Sequence, residues 1–193
     1  DAITQLLEAL VSVRGNPLTE LLCRDGLIRA VSALPRAFSH GQDQAARADM
    51  ALAALYGGLA LANAGLGAVH GFAGPIGGRF QAPHGAVCAA LLAPVTAANL
   101  EALQRRNPDG PGLLRYAEAA RCLTGRPDAT PGDVVPALRH LVARLLIPGL
   151  AAHGIGPADF PDLIEQARQS SSMKGNPIEL TPAELHSVLV RAL

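Results

Sequence analysis

The sequence has 193 residues, 49% of them hydrophobic and 17% charged, which is sufficient for one globular domain with its own core. The formal net charge is zero and no basic run occurs, which argues against a nucleic-acid-binding surface. Aromatic residues make up only 3%, so we expect a core of Ala, Leu and Val side chains, which suits closely packed helices.

Helical periodicity dominates the chain, and no segment alternates apolar and polar residues as a half-buried strand does. We therefore predict an all-α domain, a helical bundle of about eight helices with no nucleotide-binding sheet. The predicted helices, in chain order, cover residues 3–14, 18–38, 42–63, 84–103, 113–123, 130–146 and 160–170, with a last helix that begins at Thr181.

Two stretches of this pattern need interpretation. Residues 65–83 are rich in glycine, and we predict that they form a loop. Residues 50–69 carry no charge and are long enough to cross a bilayer. Several glycines, Asn63 and the amphipathic flanking segments favour a buried central helix instead, so we expect no membrane association.

Three cysteines, Cys23, Cys88 and Cys122, lie far apart and form no CxxC pair. Each falls in an apolar helical pattern. We therefore expect three reduced core residues of a cytoplasmic protein.

Two histidines, His70 and His84, flank the Gly-rich segment, which would allow both rings to reach one point. Imidazole is the commonest metal ligand near neutral pH. Asp1 and Gln5 are spaced i, i+4 and share one helix face. A carboxylate with two imidazoles is the ligand plan of an open, catalytic Zn or Fe(II) site. On spacing alone, two unrelated histidines remain the alternative.

The motif around these histidines resembles that of the iron-containing (group III) alcohol dehydrogenases. Residues 67–78 read GAVHGFAGPIGG and residues 82–86 read APHGA, close to the family pattern G-x-x-H-x-x-A-H-x-x-G-(x)-P-H-G. Residues 1–5, DAITQ, resemble the family's D-A-x-x-H segment, and residues 174–177, KGNP, resemble its late G-N-P loop. The resemblance covers essentially the whole chain and implies the family's C-terminal helical domain.

This resemblance implies that Asp1, His70 and His84 bind Fe(II) or Zn(II). Gln5 stands where the family usually has a histidine; its neutral amide oxygen is a possible fourth contact but a weaker ligand than imidazole. Gly74 stands where many members have a second histidine near the nicotinamide, so that proton relay is lost here.

The same resemblance places further residues along the cleft for substrate and cofactor. These residues are Phe72, Gly74, Lys174 and Asn176. We predict no catalytic residue beyond the metal site. Lys174 could meet an anionic group of the substrate.

The family also implies an oxidoreductase that interconverts alcohols with aldehydes or ketones, using NAD or NADP. A Rossmann-like N-terminal domain would bind most of that cofactor, and we find no strand, Gly-rich loop and helix of that kind here. We therefore expect residues 1–193 to form one helical metal-binding domain that is inactive alone. Its expected partners are the nucleotide-binding domain, a small alcohol or aldehyde, and a second copy in a dimer.

Two other functions remain open at this stage. The first is a metal-independent relative such as a maleylacetate reductase, which the glutamine at position 5 keeps possible. The second is a non-catalytic helical interaction domain in which the histidines are structural. A metal titration separates these alternatives.

Overall fold

The computed structural model describes all residues from Asp1 to Leu193 and contains nine α-helices and no β-strand. This confirms the predicted all-α fold. The helices are α1 (Ala2–Val11), α2 (Pro17–Ser39), α3 (Gln44–Ala64), α4 (Ala68–Arg79), α5 (His84–Arg106), α6 (Pro111–Thr124), α7 (Val134–Arg144), α8 (Phe160–Gln169) and α9 (Pro182–Ala192). Short 3-10 turns cover Pro131–Asp133, Leu150–His153, Pro157–Asp159 and Ser171–Gly175.

Local sequence explains where several of these helices begin. The Asn16 side chain accepts hydrogen bonds from the backbone N–H groups of Leu18 and Thr19 at 3.1 Å each, and so caps α2. Thr181 and Glu184 form a capping box at α9, in which the Glu184 carboxylate accepts the Thr181 N–H at 2.8 Å. These bonds satisfy N–H groups that have no partner inside the helix.

Helix α4 corrects the predicted loop over residues 65–83. Its four glycines and Pro75 give it a low helix propensity, but its apolar residues recur with helical spacing. Val69, Phe72, Ala73 and Ile76 lie at i, i+3, i+4 and i+7, and all four are buried. Packing of this face against α5 and α8 therefore outweighs the unfavourable propensity, and it adds a ninth helix to the expected eight.

Helix α3 corrects the expectation of a buried central helix. It packs on α1 and α2 with one face, whereas Leu55, Leu59 and Leu61 on the other side are exposed. The central helix is α5, which contacts α4, α7 and α9. Helix α5 is the only helix that is by itself long and apolar enough to cross a membrane. Within the domain, 72% of its most apolar 18-residue segment is buried.

Small residues let the helices approach closely around one continuous core of 44 buried residues. Gly26 of α2 is an example, because a Cβ atom there would lie 2.7 Å from a methyl group of Leu6 on α1. The helices are arranged so that the N-terminal ends of α1, α4 and α5 meet at one end of the domain. That meeting point positions the candidate site.

Candidate metal centre

Three helix N-termini bring the predicted metal ligands together. Asp1 is the N-cap residue of α1, His70 lies in the first turn of α4, and His84 is the first residue of α5. Nε2 of His70 lies 3.2 Å from Asp1 Oδ1, and Nε2 of His84 lies 3.8 Å from Asp1 Oδ2. The centroids of the two imidazole rings are 5.5 Å apart.

A fourth side chain, Cys88, lies in the same cluster. Its Sγ atom is 3.5 Å from His84 Nε2 and 3.8 Å from His70 Nε2. One potential ligand atom from each of Asp1, His70, His84 and Cys88 lies within 4.8 Å of all the others. A carboxylate, two imidazoles and a thiol are donors that suit a divalent transition-metal ion.

The cluster is buried on one side and open on the other. Cys88 is fully buried and the His70 side chain is 9% exposed, whereas the His84 side chain is 53% exposed and that of Asp1 is 34% exposed. A centre that is enclosed on only one side leaves room for a substrate to approach, which is typical of catalytic metal sites.

Glu8 fixes the orientation of His70. Its carboxylate is buried, and Oε2 accepts a hydrogen bond from His70 Nδ1 at 2.6 Å. The other oxygen, Oε1, accepts the backbone N–H of Val69 at 2.7 Å. With the proton of His70 on Nδ1, the Nε2 lone pair is free to bind a metal, which is the usual role of a carboxylate behind a ligating histidine.

Asn176 and Gly67 secure the beginning of α4 beside Glu8. The buried Asn176 accepts the Ala68 N–H at 3.1 Å and donates to Asn99 Oδ1 and to the Ile178 carbonyl oxygen, each at 2.7 Å. Gly67 is required at this point, because a Cβ atom there would lie 2.8 Å from Asn176 Oδ1 and 2.9 Å from Glu8 Oε1. Asn176, predicted to line the cleft, thus belongs to the support of the site.

Surrounding groups shift the pKa values of the two histidines in opposite directions. Burial alone would lower the pKa of His70, but its hydrogen bonds to Cys88 and Glu8 and the charge of Glu8 raise it to about 9. Burial and the neighbouring charge of His70 lower the pKa of His84. Because the pKa of His70 is raised, a metal ion that binds to Nε2 must displace a proton from it.

Gln5 lies beside the cluster and supports Asp1. Its Nε2 donates to Asp1 Oδ2 at 3.3 Å. Its oxygen faces α3, where a Cβ atom on Gly57 would lie 2.8 Å from Gln5 Oε1. In this arrangement the amide oxygen is directed away from Asp1.

The other residues predicted to line the cleft lie in different surroundings. Phe72 is fully buried in the core, so its side chain forms no part of an accessible wall. Gly74 is exposed one turn after His70, with open space where a Cβ atom would be. Lys174 borders a cavity of about 480 Å³ between α8 and α9 that none of the four cluster residues lines. Only Gly74 among these three lies open beside the cluster.

Sequence reasoning missed two members of the site, Glu8 and Cys88, although spacing carried a signal for each. Glu8 is seven residues after Asp1, on the same face of α1, and is the only acidic residue within that apolar helix. Cys88 follows His84 by four residues on α5. The burial of Cys88 agrees with its predicted place in the core, but that prediction does not include its histidine neighbours. All three cysteines are free thiols.

Comparison with known proteins gives one consistent result. Residues 1–193 match the family model described as Fe-containing alcohol dehydrogenase family, C-terminal. Alcohol dehydrogenase 4 of Saccharomyces cerevisiae is 31% identical over 193 residues, which is 100% of this chain and 48% of the yeast protein.

Solved structures agree with this match. A 1,3-propanediol oxidoreductase superposes with a TM-score of 0.90 at 29% identity, covering 100% of this chain and 50% of that one. A maleylacetate reductase from Rhizobium sp. strain MTP-10005 gives a TM-score of 0.78 at 28% identity, covering 99% and 50%. The chain spans about half the length of these relatives.

Proposed function

The chain belongs to the iron-containing alcohol dehydrogenase family, and we propose that it is the metal-binding half of an oxidoreductase that interconverts alcohols with aldehydes or ketones. The observation that carries this proposal is the convergence of Asp1, His70 and His84, whose ligand atoms lie within 4.8 Å of one another. The open side of this cluster supports a catalytic role in preference to a purely structural one.

Asp1, His70 and His84 would hold Fe(II) or Zn(II). A bound divalent ion supplies Lewis-acid polarisation of the substrate oxygen. The chain's own contribution is to fix the ligands: Glu8 holds the His70 ring from behind, and Gln5 holds Asp1. Such outer contacts reduce the reorganisation that accompanies binding of the ion.

NAD or NADP would exchange the hydride and would be bound mainly by a nucleotide-binding domain, in the part of the relatives that this chain does not cover. The surface of α4 beyond His70 suits the approach of such a cofactor. Gly74, Gly77 and Gly78 leave open space where side chains would otherwise project. A flat surface of this kind lets a ring lie close to the helix backbone.

The exposed face of α3 would receive that second domain. Leu55 and Leu59 stand one turn apart with Gly58 between them, and residues 50–66 contain no charged side chain. Contiguous exposed apolar patches on a single domain mark interaction surfaces. The relatives are about twice as long as this chain, so the other half of the protein is the occupant that fits best. A homodimer through the same face is the alternative occupant.

A cytoplasmic location is also part of this proposal. Its support is that all three cysteines are free and that Cys23 and Cys88 are fully buried. Cytoplasmic proteins keep their cysteines reduced.

Metal analysis of the purified chain tests the proposed function. We expect one equivalent of Zn(II) or Fe(II) per chain, and loss of that metal in His84→Ala. His84 is exposed, so this variant should retain the fold. His140→Ala, at another exposed histidine, is the matched control and should keep its metal. A chain that binds no metal under these conditions would contradict the proposal.

A metal-independent maleylacetate reductase-like reaction is the second candidate. It is favoured by Gln5, which supplies no imidazole, and by the likeness to a maleylacetate reductase structure. Chelation of the full-length protein separates the two functions. Loss of activity with a chelator supports the metal enzyme, and full activity after complete metal removal supports the second candidate.

A further inference from the structure

Cys88 is the fourth member of the cluster, whereas the amide oxygen of Gln5 faces Gly57 on α3. Cys88 lies one turn after His84 on α5, fully buried, with its Sγ atom 3.5 Å and 3.8 Å from the two Nε2 atoms of the histidine pair. A lone buried cysteine usually packs as a small apolar residue. This one instead directs its sulfur at two imidazoles and at the carboxylate of Asp1.

We infer that Cys88 is the fourth protein ligand of the metal and that its thiolate makes this site selective for Zn(II) over Fe(II). The inference rests on the proposed function, because it requires that Asp1, His70 and His84 bind a metal. The inference goes beyond the proposed function because it assigns Cys88 of α5 as a further ligand and Zn(II) as the bound ion.

The distances within the cluster fit a tetrahedral zinc site. With Zn–S of about 2.3 Å and Zn–N or Zn–O of about 2.1 Å, the edges of a tetrahedron are about 3.6 Å for S···N and about 3.4 Å for N···O. The S···N distances here are 3.5 and 3.8 Å. The N···O distances are 3.2 Å from His70 to Asp1 Oδ1 and 3.8 Å from His84 to Asp1 Oδ2. Each of these four distances lies within about 0.4 Å of the ideal edge, and the other pairs of ligand atoms lie within 4.8 Å of one another.

Gln5 is held outside this tetrahedron. Its amide N–H donates to Asp1, so it orients a ligand, and its oxygen points towards Gly57. The chain therefore lacks an imidazole at position 5 and has a sulfur on the neighbouring helix. This exchange keeps the number of protein ligands at four and replaces a nitrogen donor with a softer sulfur donor. A substrate oxygen would enter as a fifth ligand from the open side of the site.

The chemistry of the donors decides the ion. A thiolate favours soft or borderline ions, and a tetrahedral set of sulfur, nitrogen and oxygen ligands is characteristic of zinc. On binding, the Cys88 thiol gives its proton to solvent as the sulfur–metal bond forms. The negative charges of Asp1 and the thiolate then balance the two positive charges of the ion, and no oxidant or reductant is required.

Cobalt(II) substitution provides a direct test that does not depend on activity. Cobalt(II) reports its ligands in its absorption spectrum, and a bound thiolate adds an intense charge-transfer band in the near ultraviolet. We expect this band in the metal-free chain titrated with cobalt(II). Cys88→Ser should remove the band and weaken Zn(II) binding by at least about 100-fold, more than loss of an outer contact does. Cys23→Ser, at a second fully buried cysteine, should change neither.

Competition between ions tests selectivity. Equal concentrations of Zn(II) and Fe(II) under anaerobic conditions should load the wild-type chain with zinc. The double variant Gln5→His/Cys88→Ser should bind metal again without the charge-transfer band and with a smaller preference for zinc. Circular dichroism and urea unfolding check that each variant is folded. The cobalt(II) spectrum of the wild-type chain tests the thiolate ligand without any variant.

The outcomes separate this inference from the proposed function. If His84→Ala abolishes metal binding while Cys88→Ser and Cys88→Ala do not, the metal centre stands and the assignment of Cys88 is wrong. A wild-type cobalt spectrum without a thiolate band also overturns the assignment. If neither cobalt nor zinc binds to the wild-type chain, the inference and the proposed function both fail.

Discussion

Glu8 and His70 are 62 residues apart in the sequence, yet their buried side chains lie 2.6 Å apart, between Oε2 and Nδ1. The same carboxylate accepts the N–H of Val69 at the beginning of α4. The negative charge of Glu8 therefore stabilises the positive end of a helix and orients a metal ligand on that helix. Loss of Glu8 should therefore weaken both the N-terminus of α4 and the orientation of His70.

Glu8→Gln separates the contact of Glu8 with the Val69 N–H from its contact with His70. The amide oxygen can still accept the Val69 N–H, but the amide nitrogen then faces His70 Nδ1 and donates to it. The imidazole proton must move to Nε2, the atom that faces Asp1 and Cys88. We expect metal affinity to fall by about 10–100-fold. Isothermal titration with Zn(II) measures this, with Glu165→Gln on the surface of α8 as the control. Unchanged affinity in Glu8→Gln would exclude this role.

Gly67→Ala should perturb the support of the site from the backbone side. The added Cβ atom would lie under 3.0 Å from both Asn176 Oδ1 and Glu8 Oε1, so at least one of their hydrogen bonds must break. We expect a loss of about 1–3 kcal/mol of unfolding free energy, the cost of an unsatisfied buried group.

Gly77→Ala is the matched control for that substitution. Gly77 lies in the same helix with open space at its Cβ position. Alanine favours helix there by about 0.5–1 kcal/mol. Urea unfolding should thus shift in opposite directions for the two variants, and a shift in the same direction would refute the steric argument.

Asn176→Ala should destabilise the domain without touching the metal ligands. The substitution leaves the Ala68 N–H, the Oδ1 atom of Asn99 and the Ile178 carbonyl oxygen without the bonds that Asn176 makes to them. We expect a loss of about 2–3 kcal/mol in thermal or urea unfolding. Asn63→Ala, at an exposed asparagine of α3, should stay within about 0.5 kcal/mol of the wild type. Equal stabilities for the two variants would argue against a buried network.

The exposed face of α3 should cause self-association of the chain. Burial of Leu55 and Leu59 in a contact between copies removes apolar surface from water. Sedimentation velocity over a range of concentrations should reveal reversible oligomers. Leu55→Lys/Leu59→Lys should shift the population to monomer, whereas Leu114→Lys, at an exposed leucine of α6, should not. A wild-type chain that stays monomeric at high concentration would count against this surface.

The chain alone should catalyse no hydride transfer, even with Zn(II) or Fe(II), NADH or NADPH and a small aldehyde present. Hydride transfer needs the nicotinamide carbon held about 3–3.5 Å from the carbonyl carbon, and that positioning supplies much of the rate. The 193 residues form only helices and 3-10 turns, without the strand–loop–helix unit that binds a pyrophosphate. Absorbance of the reduced cofactor is the measurement, with the full-length protein as control. Turnover comparable to that control would contradict the prediction.

Much of this protein can be inferred from the sequence because the relevant signals are local. Helical spacing of apolar residues, together with the capping residue Thr181 at the last helix, marks helices to within a few positions. The glycine-containing motif around His70 and His84 identifies the family, since its residue types and spacings lie within one short segment.

Only the tertiary structure decided the rest, because it depends on contacts between distant segments. Packing against α5 and α8 turned the Gly-rich segment into α4, in spite of its low propensity. The approach of α1 and α5 to α4 brought Glu8 and Cys88 to the histidines. Spacing within a helix shows which face these residues occupy. The packing of the helices determines which residues that face contacts. Burial then decides whether a carboxylate is solvated or, like Glu8, must pair with a histidine and a helix N-terminus.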